Sequence, residues 1–373
     1  MSQWIQIKLG EIVTLNYGKA LKAQDRNAGS IPVYSSGGLT GWHDCALIND
    51  KGIIVGRKGT VGKSYLTNGP FWCIDTAYYI LPNPSKYHFI FLFYLLKTLG
   101  LEELNEDSAV PGLNRDTAYS QILSLPPLTE QKAIASVLSS LDDKIDLLHR
   151  QNKTLESIAE TLFRQWFVID NTGKPVAVDH IIDFNPKRTL TKNQDATYLD
   201  MAGLSTDIFR ANGYYKRPFS SGTKFTQRDT LLARITPCLE NGKAAYIDFL
   251  DEKETGWGST EFIVMRPKKE IHPLISYIMC RNPEFKEYAE SCMEGSTGRQ
   301  RVNLDHLKKF NVNLPAVASL RIINELLGSF ESKLINNSQQ IDSLEKLRDT
   351  LLPKLMSGEV RVQYAEEAIS SVA

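Results

Sequence analysis

The sequence predicts an α+β protein built from two mixed α/β domains related by an internal repeat and separated by two long coiled-coil helices. Three observations carry this expectation. Short strings recur in the same order in both halves, each half contains one long run of apolar residues spaced three and four apart, and strand and turn signals precede each run.

The repeat sets the boundaries. Leu125-Pro126 matches Leu314-Pro315, Lys144 matches Lys333, Leu155-Glu156 matches Leu344-Glu345, and Asn114 and Asp116 match Asn303 and Asp305, all at one separation. Upstream, His88 with His272, Pro82 with Pro267 and Gly62-Lys63 with Gly242-Lys243 continue the match at slightly smaller separations, as short loop insertions would produce. The expected division is a first domain over 1–125, a first long helix over 126–171, a second domain over 172–315, a second long helix over 316–358 and a tail over 359–373. Asn171-Thr172-Gly173-Lys174-Pro175 reads as the polar linker between halves.

In the first domain, Gly52-Ile53-Ile54-Val55 and Ala77-Tyr78-Tyr79-Ile80-Leu81 read as strands and Ile90 to Lys97 as a helix. In the second, Glu261-Phe262-Ile263-Val264-Met265 reads as a strand and Leu274 to Cys280 as a helix. The first long helix follows Pro126-Pro127, with Thr129 expected as its cap and Glu130 complementing its dipole. Its seam is 134, 138, 141, 145, 148, 152, 155, 159, 162 and 166, and every seam residue except Asn152 is apolar. The matching seam of the second helix is interrupted at Asn337 and Arg348. A sustained 3.5-residue period suits a supercoil, although two amphipathic helices on separate cores would read similarly.

Composition narrows the functional classes. Lys plus Arg equals Asp plus Glu at 43 each, which argues against a simple basic DNA-binding module and leaves any nucleic-acid contact to local clusters. No apolar run approaches the roughly 18 residues of a membrane span, and the start of the chain lacks a secretory pattern, so a cytoplasmic protein is expected. The 5 cysteines form no Cys-x-x-Cys pair, and the 6 histidines show no metal-ligand spacing. Asn83-Pro84, Asn185-Pro186 and Asn282-Pro283 lack the second proline and aromatic of an amino-methyltransferase motif. No catalytic residue, metal site or cofactor is expected in this chain.

The binding candidates are loops. Gly56-Arg57-Lys58-Gly59-Thr60-Val61-Gly62-Lys63-Ser64 approaches a phosphate-binding loop but places Arg57 where the first glycine is required, so nucleotide hydrolysis is not expected. Glycines that admit backbone N–H groups to an anion, with Arg57, Lys58, Thr60 and Lys63, still suit phosphate contact; a plain hairpin with solvated cations is the alternative. The second-half counterpart holds Arg234, Thr236, Asn241 and Lys243. Arg299, Gln300, Arg301 and Asn303 combine side chains able to read guanine and adenine edges, with Asn114 and Arg115 at the first-half counterpart. Ser35 and Ser36, in a glycine-rich loop with Tyr34 and Trp42, complete the candidates.

These strings resemble the specificity subunit of type I restriction-modification systems. The resemblance spans nearly the whole chain. It rests on Val55 through Lys63, Leu125-Pro126-Pro127-Leu128-Thr129-Glu130-Gln131 and Thr161-Leu162-Phe163-Arg164-Gln165-Trp166-Phe167 in the first half. In the second it rests on Thr236 through Lys243, Gly258-Ser259-Thr260-Glu261-Phe262 and Leu351-Leu352-Pro353-Lys354-Leu355-Met356-Ser357-Gly358-Glu359-Val360. It departs at Leu314-Pro315-Ala316-Val317-Ala318-Ser319-Leu320, which loses the Thr-Glu-Gln of the first half.

The resemblance implies two target-recognition domains, each reading half of a split, asymmetric double-stranded DNA target. It implies two long antiparallel helices that separate them and dock two modification subunits. Those partners would carry S-adenosylmethionine and methylate adenine N6, and restriction subunits would supply the ATP- and Mg-dependent motor and nuclease. An antiparallel pairing with pseudo-twofold symmetry would set Asn152 opposite Asn337 and Ala159 opposite Phe330, so a polar residue meets a polar one and a small residue a large one. Arg348 would fall opposite Leu141 and extend its head to solvent. The seam would span roughly 48 Å at 1.5 Å per residue, holding half-sites about one to one and a half DNA turns apart. The competing classes are a coiled-coil scaffold with two protein-binding domains and a P-loop enzyme.

Overall fold

The computed structural model describes residues 4–104, 112–170, 172–296 and 298–362. The chain forms two compact units: Met1–Ile145 with Asp342–Ala373, and Asp146–Ile341. Each long helix therefore contributes one end to each unit.

In the first unit, β-branched Ile53, Ile54 and Val55 leave no surface to solvent, as a strand covered on both faces requires. They form the interior of a four-stranded antiparallel sheet ordered Asn16–Tyr17, Ala77–Ile80, Gly52–Gly56, Ser64–Thr67. A three-stranded sheet joins Gly38–His43, Ile31–Ser35 and Trp72–Cys73. The helix Phe89–Thr98 buries Phe89 and all of Phe91 through Leu96. Strand Ile5–Lys8 pairs antiparallel with Ile122–Leu125, which leads into the first long helix.

The second unit repeats the plan. Its four-stranded antiparallel sheet runs Ile182–Phe184, Phe262–Pro267, Thr230–Ala233, Ala244–Tyr246, backed by the helix Leu274–Arg281. Lys174–Ala177 pairs with Asn311–Leu314 as Ile5–Lys8 does with Ile122–Leu125. A second four-stranded sheet, Tyr215–Pro218, Asp195–Leu199, Thr255–Gly258 and Thr223–Thr226, contains one parallel pair.

The first long helix runs Leu128–Phe163 and the second Val317–Ser357. Because the first begins at Leu128, Thr129 lies inside its opening turn and is not its cap. Glu130 there accepts from Trp4 Nε1 at 3.2 Å and from Arg361 at 3.2 Å. Gln131 joins two segments, accepting from His88 N–H at 2.8 Å and donating to the Pro126 carbonyl at 2.8 Å. The second half lacks that glutamine, and Asn324 takes its place, accepting from His272 N–H at 3.0 Å and donating to the Glu270 carbonyl at 2.9 Å.

Seam residues Ile134, Leu138, Leu141, Ile145, Leu148, Asn152 and Ala159 are buried. Beyond them the seam departs from expectation. Leu162 and Trp166 are only half-buried, while Phe163 and Phe167 are fully buried and stacked at 5.2 Å. Residues Arg164–Ile169 are wound as a π-helix, and the extra residue per turn rotates the apolar stripe onto its neighbours.

In the second unit, Asn337 Nδ2 donates to Asn152 Oδ1 at 2.8 Å; both residues are buried, and Asn337 Oδ1 has no partner. Ala159 and Phe330 belong to one core cluster there. In the first unit, Arg348 is half-buried and its guanidinium bonds Asp142 and the exposed Asp349, each at 2.9 Å. Among the described residues, no helix is long and apolar enough to cross a membrane. All 5 cysteines are free.

Candidate nucleic-acid interface

The loop after strand Gly52–Gly56 is closed by its own backbone. Gly56 N–H donates to the Lys63 carbonyl at 2.8 Å and Gly62 N–H to that of Gly56 at 2.9 Å. The N–H groups of Arg57 and Lys58 both donate to the Thr76 carbonyl at 3.0 Å. These four amides are engaged internally and are not open to an anion. The turn still needs its glycine: a Cβ at Gly56 would lie 1.9 Å from the Thr60 carbonyl oxygen. What the loop offers is side chains. Lys58 and Lys63 are exposed, and among the described residues no hydrogen bond or ion pair engages their ammonium groups. Ser35 and Ser36 lie at the next turn, where Ser36 N–H donates to Thr76 Oγ1 at 3.3 Å, and Thr60 faces that turn across Gly37.

Arg57 turns back onto the sheet. Its Nη1 donates to the Asp75 carbonyl at 3.1 Å, and its guanidinium lies 4.9 Å from the Tyr17 ring centroid. Leu113 N–H donates to the Arg57 carbonyl at 2.8 Å, bringing the following residues alongside. Asn114 is the N-cap of the helix Arg115–Ser120, accepting from the N–H groups of Asp116 and Thr117. Tyr17, Arg57, Lys58, Tyr78, Asn114 and Arg115 line one cleft of about 360 Å³. Lys63 lies instead on a second cleft with Tyr65, Lys97 and Glu102.

The second half builds the same frame. Arg234 N–H donates to the Glu261 carbonyl at 3.0 Å, and Val302 N–H donates to the Arg234 carbonyl at 2.8 Å. Asn303 caps the helix Leu304–Leu307, and its Nδ2 donates to Glu294 at 2.8 Å. Both repeated asparagines thus hold helix starts, which accounts for their recurrence without base reading. Arg301, a candidate for reading base edges, forks onto Glu261 at 3.0 and 2.7 Å. The Arg301 hydrogen bonds hold the Glu261 carboxyl below its ordinary range. Lys243 Nζ donates to the Met201 carbonyl at 3.2 Å. Gln300 and Thr236 bond each other through N–H to Oγ1 at 3.2 Å. Arg299 and Asn241 remain exposed.

Sequence reasoning missed Tyr17, Glu261 and Arg281. Half-buried Arg281 donates to the carbonyls of Thr206 at 2.6 Å and Gly242 at 2.8 Å, and to Tyr277 Oη at 3.1 Å. It thereby ties the loop ending at Lys243 to the helix behind it. No local motif signals this tie, since the carbonyls of Thr206 and Gly242 are distant in sequence. His43, Asp44 and Cys45 bring ligand-type atoms within 4.8 Å of one another. His43 Nδ1 and Asp44 Oδ2 already accept from Asn27 N–H and Nδ2, at 3.1 and 3.0 Å.

A family profile described as type I restriction modification DNA specificity domain matches residues 1–157 and again 171–346. The chain is similar to the type I restriction enzyme MjaIX specificity subunit of Methanocaldococcus jannaschii, 27% identical over 375 residues, covering 86% of this chain and 80% of that protein. It is also similar to the HindI specificity subunit of Haemophilus influenzae, 21% identical over 381 residues, covering 80% and 82%. The crystal structure of a type I restriction-modification S subunit from M. genitalium shares the fold, with a TM-score of 0.61, 18% identity and coverage of 95% and 96%. With two profile matches spread over both halves of a duplicated fold, the chain belongs to the type I restriction-modification DNA specificity family, the non-catalytic DNA-recognition subunits of these systems.

Proposed function

We propose that each half of this chain reads one part of a bipartite, asymmetric DNA target, and that the long helices form an antiparallel coiled-coil spacer between the two readings. The observation that carries this is the recurrence of one backbone frame, Arg57–Leu113–Asn114 and Arg234–Val302–Asn303, with different side chains around it. Shared frame and divergent surface are what two related readers of different sequences need. Lys58, Lys63, Arg299, Asn241, Ser35, Ser36, Thr60 and Gln300 are the proposed DNA-facing side chains outside the arginine clusters. The spacer reading is supported by the Asn152–Asn337 bond and by partners that descend along the second helix as they ascend along the first: Glu130 with Arg361, Asp142 with Arg348, Asn152 with Asn337.

In this reading, two modification subunits carrying S-adenosylmethionine dock on the spacer, with restriction subunits supplying the ATP- and Mg-dependent steps. The assembly works on cytoplasmic DNA. Mapping methylated adenines in cells that express this chain with its cognate modification subunits tests it. A two-part motif with a fixed unread gap is expected. A continuous motif, or no motif from an assembled complex, would contradict it and favour a scaffold role.

A further inference from the structure

The two halves share a frame but not a charge. In the first, the Tyr17 ring lies between two guanidiniums, with Arg57 at 4.9 Å and Arg115 at 5.3 Å from its centroid. Tyr78 packs 5.1 Å from Tyr17 and 5.8 Å from Arg57. Cation–π packing fixes the planes of such groups without cancelling their charge. Arg57 donates to a neutral carbonyl, that of Asp75. Arg115 Nε is buried with no hydrogen-bond partner. Lys58 lines the same cleft, and among the described lining residues Asp116 is the carboxylate.

In the second half, Glu261 stands where Thr76 stands in the first, since each gives its carbonyl to the N–H of the repeated arginine. Ile235 follows Arg234 where Lys58 follows Arg57, and Leu304 follows the capping Asn303 where Arg115 follows Asn114. Glu261 takes the fork of Arg301 and lies 3.9 Å from Arg234. Glu261 thus offsets part of the charge gathered here, two guanidiniums sharing one carboxylate, and Arg234 Nε, like that of Arg115, is buried without a hydrogen-bond partner.

We infer that the first-half cleft grips a DNA phosphodiester irrespective of sequence, whereas the second half, its arginines partly offset by Glu261, holds one less strongly at the matching place. The electrostatic hold on DNA is then weighted toward the first half-site. This rests on the DNA-reading role proposed above. Each phosphate neutralised by a cation steepens the dependence of log K on log salt by about 0.9 on duplex DNA.

The test is fluorescence anisotropy of target duplex with the complete complex of this chain and its modification subunits, over a fourfold salt range. Replacing Arg57 and Arg115 by Ala is expected to make the slope shallower by about one to two, a salt-dependent loss of affinity smaller by about four- to sixteenfold over that range. The base preference of both half-sites should stay. The pair Arg234→Ala and Arg301→Ala should change the slope by less than the first-half pair does. Thr76→Glu, which removes no cation, should lower the slope, and Glu261→Thr should raise it. Equal slope changes from the two arginine pairs, or an unchanged slope in both Arg57→Ala/Arg115→Ala and Thr76→Glu, would overturn the inference. So would lost base preference at one half-site, which would make these arginines base readers within an intact DNA-reading role. A parent complex that prefers no duplex would instead refute that role itself.

Discussion

Glu156 shows how one side chain couples a long helix to a domain. It sits on the first long helix and accepts from Tyr277 Oη at 2.7 Å, and Tyr277 Oη in turn accepts from Arg281, the group that holds the Gly242 carbonyl. Burial raises the Glu156 carboxyl from its ordinary 4.5 to about 7, against the opposing hydrogen bond from Tyr277 and the nearby charge of Arg281. The sign follows from linkage. Between about pH 4.5 and about pH 7 the folded chain keeps a proton that the unfolded chain has lost, so stability falls as pH rises through that window. Glu156→Gln should flatten this part of a plot of Tm against pH, and an unaltered slope would show that Glu156 does not titrate there. At this scale the sequence was partly legible. Glycine-rich loops drew attention to Arg57 and Arg234, but the partners that separate the two, Tyr17 for one and Glu261 for the other, come from distant segments and carry no local signal. Asn114 and Asn303 were found by their repetition, and their repetition reflects capping.

The long helices were the most legible elements, because a 3.5-residue apolar period sustained over many turns matches a helix and no strand. The period failed where the backbone changed its winding: the π-helical turn Arg164–Ile169 buries Phe163 and Phe167 in place of Leu162 and Trp166. Side-chain pattern alone does not reveal such a turn. Within the seam, buried Asn337 donates a hydrogen bond to buried Asn152. Asn337→Leu would leave the Asn152 amide buried without this partner, at a cost of about 1–3 kcal/mol. Changing both to Leu should recover most of that loss, since two apolar groups satisfy each other. Denaturant unfolding of the single and double variants measures both effects. A double variant no more stable than Asn337→Leu alone would show that the asparagines do not act as a pair.

For the whole molecule, the duplication was readable because matching strings keep their order and near-constant separation, and the two profile matches divide the chain similarly. The compact units divide it differently, at Ile145 and Asp342 within the long helices, because each helix end packs with its nearest domain. Sheet order within each domain was not readable, since it depends on pairings between segments such as Asn16–Tyr17 and Ala77–Ile80 that no local pattern records. The central proposal is that the halves read separate parts of one target. Its sharpest test replaces residues 1–125 by the corresponding domain of another family member and maps methylated adenines made by the complex in cells. One part of the motif should change while the other part and the gap stay as they were. A change in both parts, or in neither while the complex still assembles, would contradict modular reading by the two halves.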